Sequence, residues 1–504
     1  MKLRATHILP AMLLALSGCG ESAAQRLERA QDAFARQDYQ AARVTLAAGL
    51  RDEPGNVAML TLMARTQLRL RDPEGAKKAI AALAGKADPT EFARLQAELL
   101  LLQGRAKDAL AAIPAGDGDA VAWRIRAAAW LALGNEGEAV DAFGKGMAGQ
   151  PDIAIATDYA RYLLQSDRID AAARVHRDMR RFAPGAFETL VLEGDLAEAQ
   201  GRSQAAIAAY RQAVQRYPGR YEPLLALATQ LDEQGKVHEA MALVERAEAL
   251  AANAPGVFEM RMQLLSEQGK WTEIRSAMQG REAGLDPASS LGLTYGEALL
   301  RLGYPEQART LFQRALLLMP GNPFSRLMLG EAQLATNDAA SAWKTLAPLG
   351  RTVLAPPDVI DAAARAAEAA RAPEAGALRA RLEPSRLRAS QAQIAQAQAS
   401  LNRQDWDAAV TAYQRIPGGG DDPEVLKRLA YASSEAGHHA EAIAYADRAL
   451  AREPDNSDYL HMAGFARLRS GDRVGAVKFL QRAVDGAPRQ VVFRTDLKKA
   501  LSST

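Results

Sequence analysis

The sequence predicts an all-helical solenoid, a stack of antiparallel helix pairs. Three observations predict it: a helix-forming composition, a small residue that returns about every 34 positions, and Gly and Pro at fixed offsets around it. Ala and Leu are abundant and long β-branched runs are absent, which favours helix over strand. The recurring position reads Ala42, Ala76, Ala109, Ala139, Ala172, Ala206, Ala240, Ile274, Ala308, Ala342, Gly376, Ala409, Ala442 and Ala476. Of its thirteen intervals eight are 34 residues, four are 33 and one is 30, so about fourteen units are expected.

Each marker has a physical reason. A small residue lets the two helices of a unit approach closely, and a bulkier one overpacks by about 1–3 kcal/mol. Gly104, Gly134, Gly201, Gly235, Gly269, Gly303, Gly437 and Gly471 stand where the first helix should end in a left-handed residue. Pro54, Pro151, Pro184, Pro218, Pro320, Pro454 and Pro488 stand where the second helix should stop. Asn56, Asn322 and Asn456 lie just beyond and suit N-caps.

Around Ala206 the frame continues Tyr210, Ala213 and Pro218, after Gly194 and Gly201. Around Ala308 it runs Phe312, Ala315 and Pro320, after Gly296 and Gly303; around Ala476 it runs Leu480, Ala483 and Pro488, after Gly464 and Gly471. Ala139 has Phe143 and Pro151 after it and Trp123, Trp130 and Gly134 before. These residues resemble the signature of the tetratricopeptide (TPR) repeat superfamily. The resemblance implies an all-α, TPR-like α-solenoid, a superhelix of antiparallel helix pairs, whose first helices line a groove that holds protein partners. It implies no enzyme and no cofactor.

The expected organisation is a leader at 1–18, a first array at 19–350, a degenerate helical pair or junction at 351–388, further units at 389–490 and a capping helix at 491–504. Pro356-Pro357 and the near low-complexity run from Ala362 to Leu382 mark the junction. A disordered linker is the alternative there, but Ala342 to Ala409 is 67 residues, almost two periods, which favours continued stacking. Gly418-Gly419-Gly420 reads as a turn, because no strand precedes it and no Walker-type lysine follows.

Lys2 and Arg4 precede an apolar stretch from Ile8 to Leu16, the layout of a secretory signal and too short to span a bilayer. It ends Leu16-Ser17-Gly18-Cys19, which resembles the lipobox of bacterial lipoproteins, and Cys19 is the one cysteine. The resemblance implies cleavage before Cys19, a diacylglyceryl group on its sulfur and an anchor in a membrane. Gly20 in place of Asp implies the periplasmic face of the outer membrane.

The formal charge is +2, and removing Lys2 and Arg4 with the leader leaves 60 charges of each sign. A neutral chain argues against a nucleic-acid partner. No nucleophile elbow, P-loop, dinucleotide fingerprint or His-Glu-x-x-His site is present, so no catalytic residue, metal or small-molecule cofactor is expected. Function then rests on the groove. Counting outward from each first helix's small residue, the early units offer Arg65, Arg94, Arg124 and Arg161. The middle units offer Glu188, Asp195, Glu222, Asp232, Glu259, Glu297 and Glu331, and the last offer Tyr431, His461 and Phe465. The groove is expected to change from basic to acidic to aromatic, and reversing two of its arginines should leave stability nearly unchanged. The expected function is an envelope scaffold that binds other envelope proteins. Long TPR lipoproteins resembling this one accompany exopolysaccharide export and exosortase/PEP-CTERM sorting. A pilus or secretin assembly lipoprotein and a direct glycan-binding or polysaccharide-handling protein are the alternatives.

Overall fold

The computed structural model describes residues 21–36, 38–252 and 254–502; the leader and Cys19 lie outside the described residues. Among the described residues the regular structure is 29 α-helices and two short 3-10 turns, with no strand. Two compact units divide the chain, 1–230 and 231–504.

In the first unit the helices pair in chain order: α1 (Ala23–Ala35) with α2 (Tyr39–Asp52), α3 (Val57–Arg69) with α4 (Pro73–Leu83), and α5 (Pro89–Leu102) with α6 (Ala106–Ala112). Then come α7 (Ala120–Ala132) with α8 (Glu136–Met147), α9 (Ile153–Gln165) with α10 (Ile169–Phe182), and α11 (Phe187–Ala199) with α12 (Ser203–Arg216). The division between the units falls inside α13 (Glu222–Asp232), which α14 (Val237–Leu250) follows.

The second unit continues with α15 (Pro255–Glu267) and α16 (Trp271–Met278), α17 (Ser290–Arg301) and α18 (Pro305–Leu318), and α19 (Pro323–Ala335) and α20 (Ala339–Arg351). Next are α21 (Pro357–Ala369) and α22 (Ala375–Arg381), α23 (Pro384–Asn402) and α24 (Trp406–Gln414), and α25 (Pro423–Glu435) and α26 (His439–Arg452). Last are α27 (Ser457–Ser470) and α28 (Arg473–Gly486), covered by α29 (Val491–Leu501). The stretch expected as a junction thus holds α21, α22 and the start of α23, which begins at Pro384, ahead of residue 389. Proline suits that first helical turn, where its missing N–H has no partner to lose.

The packing follows from the repeat. In the first unit α1 touches α3, α3 touches α5, α5 touches α7, α7 touches α9 and α9 touches α11. In the second, α15 touches α17, α17 touches α19, α19 touches α21 and α25 touches α27. First helices therefore lie side by side on an inner wall. The recurring small residue is what the second helix buries: Ala42, Ala206, Ile274, Ala342 and Ala476 are each fully buried. Gly376 is the exception and corrects the expected register. It is exposed with open space around it, and Leu378 takes the buried place. The reason is the short α22, which starts late at Ala375 and turns Leu378 into a core with Ala342, Leu346 and Ala363. The helices start as their caps dictate: Asn56, Asn322 and Asn456 each accept a backbone N–H from the first turn that follows.

Every expected turn glycine has positive φ, from 66° at Gly269 to 89° at Gly471. The same turn in other units is made by Arg71 (φ 56°), Asp167 (56°), Asn337 (58°), Arg371 (54°) and Gln404 (60°). A side chain in that region costs roughly 1–2 kcal/mol, of which the greater freedom of unfolded glycine offsets roughly 0.5–1. Arg71→Gly, Arg371→Gly and Gln404→Gly are each expected to raise stability by about 0.5–1 kcal/mol, with Asn337→Gly near neutral. Thermal melts of the single variants check this, and a lowered melting point would count against the strain.

The second unit also makes contacts far beyond nearest neighbours. Arg489, just after α28, pairs with Asp286, just before α17, at 2.8 Å. In the same unit, a Cβ on Gly321 would lie 3.0 Å from the Asp458 carboxylate at the start of α27. Burial pushes the Asp458 carboxyl above its ordinary range, while Lys427 and the distant Arg326 pull the other way. The loop between α24 and α25 ties in a further segment. Asp422 accepts hydrogen bonds from the Thr352 hydroxyl at 2.9 Å and from the Val353 amide at 2.7 Å, as well as capping α25.

Candidate functional site

On the inner wall of the first unit the four predicted arginines are present on α3, α5, α7 and α9, and each is ion-paired. Arg65 gives Nε and Nη2 to Glu91 Oε1 at 3.1 and 2.6 Å. Arg94 forks onto Asp117, Nε to Oδ2 at 2.7 Å and Nη2 to Oδ1 at 2.6 Å, and lies 3.5 Å from Asp119. The Arg94 guanidinium holds the Asp117 carboxyl below its usual range. Arg124 sits between Glu98 and Asp158, the latter at 3.5 Å, and Asp158 also meets Arg161 at 3.4 Å. The basic stripe expected from the sequence is in fact an alternation of charges, Glu98–Arg124–Asp158–Arg161, across three stacked helices. Acids missed by the inward-facing count neutralise it.

The acids of this unit are engaged as well. Glu222 accepts two hydrogen bonds from Arg220, at 2.7 and 3.0 Å, and the Arg220 guanidinium lies 4.0 Å over the Phe187 ring. Glu188 is half-buried and, with Glu222, Arg69 and Arg220, acts electrostatically on the phenol of Tyr39, which burial raises. Asp195 turns to its own second helix and accepts the Tyr210 hydroxyl at 2.8 Å. Burial raises the Asp195 carboxyl, and its hydrogen bond to Tyr210 ties the two helices of the unit together.

In the second unit, Asp232 takes the Gln263 amide at 2.8 Å, and the same nitrogen is 3.4 Å from Glu267. Burial and the neighbouring Glu267 carboxyl raise Asp232 to about 6. Glu259 is exposed. Glu297 pairs with Arg301 one turn on, at 3.1 Å. Glu331 pairs with Arg365 of α21, and the network continues through Asp361 and Arg379 to Glu368.

The aromatic residues form the surface best suited to a partner. Tyr431 and Phe465 lie with ring centroids 5.8 Å apart, on the neighbouring first helices α25 and α27. Trp406 meets Tyr431 edge-on at 5.9 Å, and His461 lies 6.2 Å from Phe465 and stacks on Phe493 at 4.4 Å. Trp406, Tyr431, His461 and Phe465 are half-buried, so each ring is fixed yet keeps an open edge. His461 Nε2 is 3.0 Å from Asp496 of α29, a carboxyl held below its usual range because hydrogen bonds from His461 and Lys499 outweigh burial. Trp406 and Phe493 are the members the inward-facing count missed. They belong to a second helix and to the cap, outside the first-helix frame. Among the described residues no group of three or more His, Cys, Asp and Glu is placed to hold a metal ion, and no helix is long and apolar enough to cross a membrane.

Family models described as tetratricopeptide repeat match residues 33–99, 157–221, 191–256 and 428–491. The crystal structure of the APC/C hetero-tetramer Cut9-Hcn1 is similar at 15% identity and a TM-score of 0.39, over 95% of this chain and 96% of that one. The P58(IPK) TPR domain is similar at 15% identity and a TM-score of 0.22, over 69% of this chain and 97% of that one. No curated protein matches the chain. The repeat frame, the helix pairing and the matched segments lead to one conclusion: the chain is an all-α solenoid of antiparallel helix pairs that carries segments matching the tetratricopeptide repeat at residues 33–99, 157–256 and 428–491.

Proposed function

We propose that the chain is a lipid-anchored scaffold on the periplasmic face of the outer membrane. There it holds other envelope proteins in an assembly or export machine, with polysaccharide export or exosortase sorting as the favoured setting. Leu16-Ser17-Gly18-Cys19, directly behind a short charged and apolar leader, is the observation that carries the location. Several acyl chains on one residue anchor stably where a single chain is marginal. The repeat architecture supports the scaffold role, since inner walls of stacked first helices give a long surface and the half-buried rings of the last units give it anchoring points.

Cys19→Ser is expected to move the protein from the membrane fraction to the soluble periplasm, or to leave it unprocessed. Unchanged fractionation, with a mature mass that includes no acyl chain, would sink the proposal. A second reading, direct glycan binding, draws on the run of rings from Trp406 to Phe493, because sugars stack on aromatic faces. Retardation of the purified chain in a gel containing the host's exopolysaccharide, lost in Tyr431→Ala, would favour that reading over the scaffold.

A further inference from the structure

Where α3, α5 and α7 stack in the first unit, the inner wall holds a cleft of about 260 Å³. Leu68, Leu101 and the buried Ile125 give it an apolar floor. Three cations line it, Arg69, Arg71 and Arg124, and the first two are exposed. Glu98 lines it too, but Arg124 already neutralises that carboxylate. The contrast with the rest of the wall is informative. Arg65, Arg94, Arg124 and Arg161 all have an acid within ion-pair distance. Neither Arg69 nor Arg71 has an ion pair or a side-chain hydrogen bond among the described residues.

We propose that this cleft docks an extended segment of a partner protein in which an aliphatic side chain is flanked by carboxylates. The aliphatic group covers the half-buried Leu68 and Leu101 above Ile125, and the carboxylates take the forks of Arg69 and Arg71. Guanidinium matches carboxylate geometry with paired hydrogen bonds, and such bonds are about twice as strong as neutral ones. The apolar floor adds favourable burial of roughly 25 cal/mol per Å². Charge complementarity selects the occupant: a basic or purely apolar segment would leave the two guanidinium groups without counter-charge. The site rests on the reading of the chain as a holder of protein partners and gives that reading a sequence chemistry.

Fluorescence anisotropy on the purified chain tests it, using end-blocked heptapeptides with a central Glu-Leu-Glu, Gln-Leu-Gln or Glu-Ala-Glu. The Glu-Leu-Glu peptide is expected to bind, and each of the other two to bind at least about tenfold more weakly, as the loss of one charge-assisted contact set or one buried side chain requires. Arg69→Gln with Arg71→Gly should give the same loss without lowering the melting point, because neither arginine makes an ion pair or a side-chain hydrogen bond among the described residues and glycine relieves the strain of φ 56° at position 71. Equal affinity for all three peptides, no binding by Glu-Leu-Glu, or full binding by the double variant would overturn the site. Crosslinking from membranes separates this from the broader proposal. If wild type and double variant capture the same envelope proteins while Glu-Leu-Glu fails to bind, the scaffold stands and the cleft falls.

Discussion

Gly296→Val is expected to be among the most damaging single changes in the second unit, although it adds only apolar atoms. A Cβ at Gly296 would sit 2.7 Å from the ring of Phe312 and 3.0 Å from Leu311. Phe312 is fully buried, so its ring has no free direction in which to yield. Overpacking of a filled core costs about 1–3 kcal/mol, so Gly296→Ala should lie in that range and the branched valine at or above its top. The same approach recurs where Gly194 meets Tyr210, Gly330 meets Leu346 and Gly464 meets Leu480. The urea midpoint of each variant measures the cost. Gly296→Ala combined with Phe312→Leu should recover part of the loss, since residues in contact do not add. A midpoint unchanged by Gly296→Val would mean that the two helices of this unit are further apart than described.

Reversing Arg124 to Glu is the second large effect, and it departs from what the sequence alone leads one to expect. The Arg124 side chain is only 15% exposed and lies between two carboxylates. Removing one partner of a buried ionic cluster costs about 3–5 kcal/mol, and the partial exposure of Asp158 places Arg124→Glu toward the lower end. Arg161, 64% exposed and paired with Asp158, should lose less than about 1 kcal/mol on the same change. Melting points of the two variants should therefore differ by several degrees. Arg94 belongs with Arg124, and acid exposes its role. The depressed carboxyl of Asp117 contributes stability above its ordinary value of 3.8, and that contribution is lost as pH falls through its lower folded value. Equal melting points for Arg124→Glu and Arg161→Glu would argue against the buried pair.

The fold was legible because its period is long and its markers are mechanical. Small residues must face small spaces, and turns must accept a left-handed residue, so Ala206 or Gly303 declares its place without knowledge of any neighbour. The register failed at Gly376 because a glycine at the right interval looks like a small core residue, whereas the length of α22 decides which side chain is buried. The left-handed arginines and glutamine escaped notice because residue type was read before position, yet Arg71, Asp167 and Gln404 stand on the glycine register. The candidate site was only partly legible. Facing inward can be counted along one helix, but the acid that reaches an arginine sits on the next helix. Arg124 meets Asp158 and Arg365 meets Glu331, and each pair is separated by one 34-residue period. Looking for opposite charges one period apart would have found both.

The pairing of Arg489 with Asp286, and of the Asp458 region with Gly321, changes how the second unit should come apart. An open stack of repeats behaves as a one-dimensional chain, in which the end unit frays first and each loss is felt only next door. Here the last pair of helices is joined to a loop 203 residues earlier, so fraying at the end must also release that loop. Each exposed contact is worth about 0–1 kcal/mol by itself. The stiff helices between them already hold the ends together, so little chain entropy is lost on closing. The unit should then lose protection against hydrogen exchange at 285–289 and 487–490 together, not in sequence order. Salt, which screens such charges over about 8 Å at physiological strength, should uncouple the two segments and return the array to unfolding from its end.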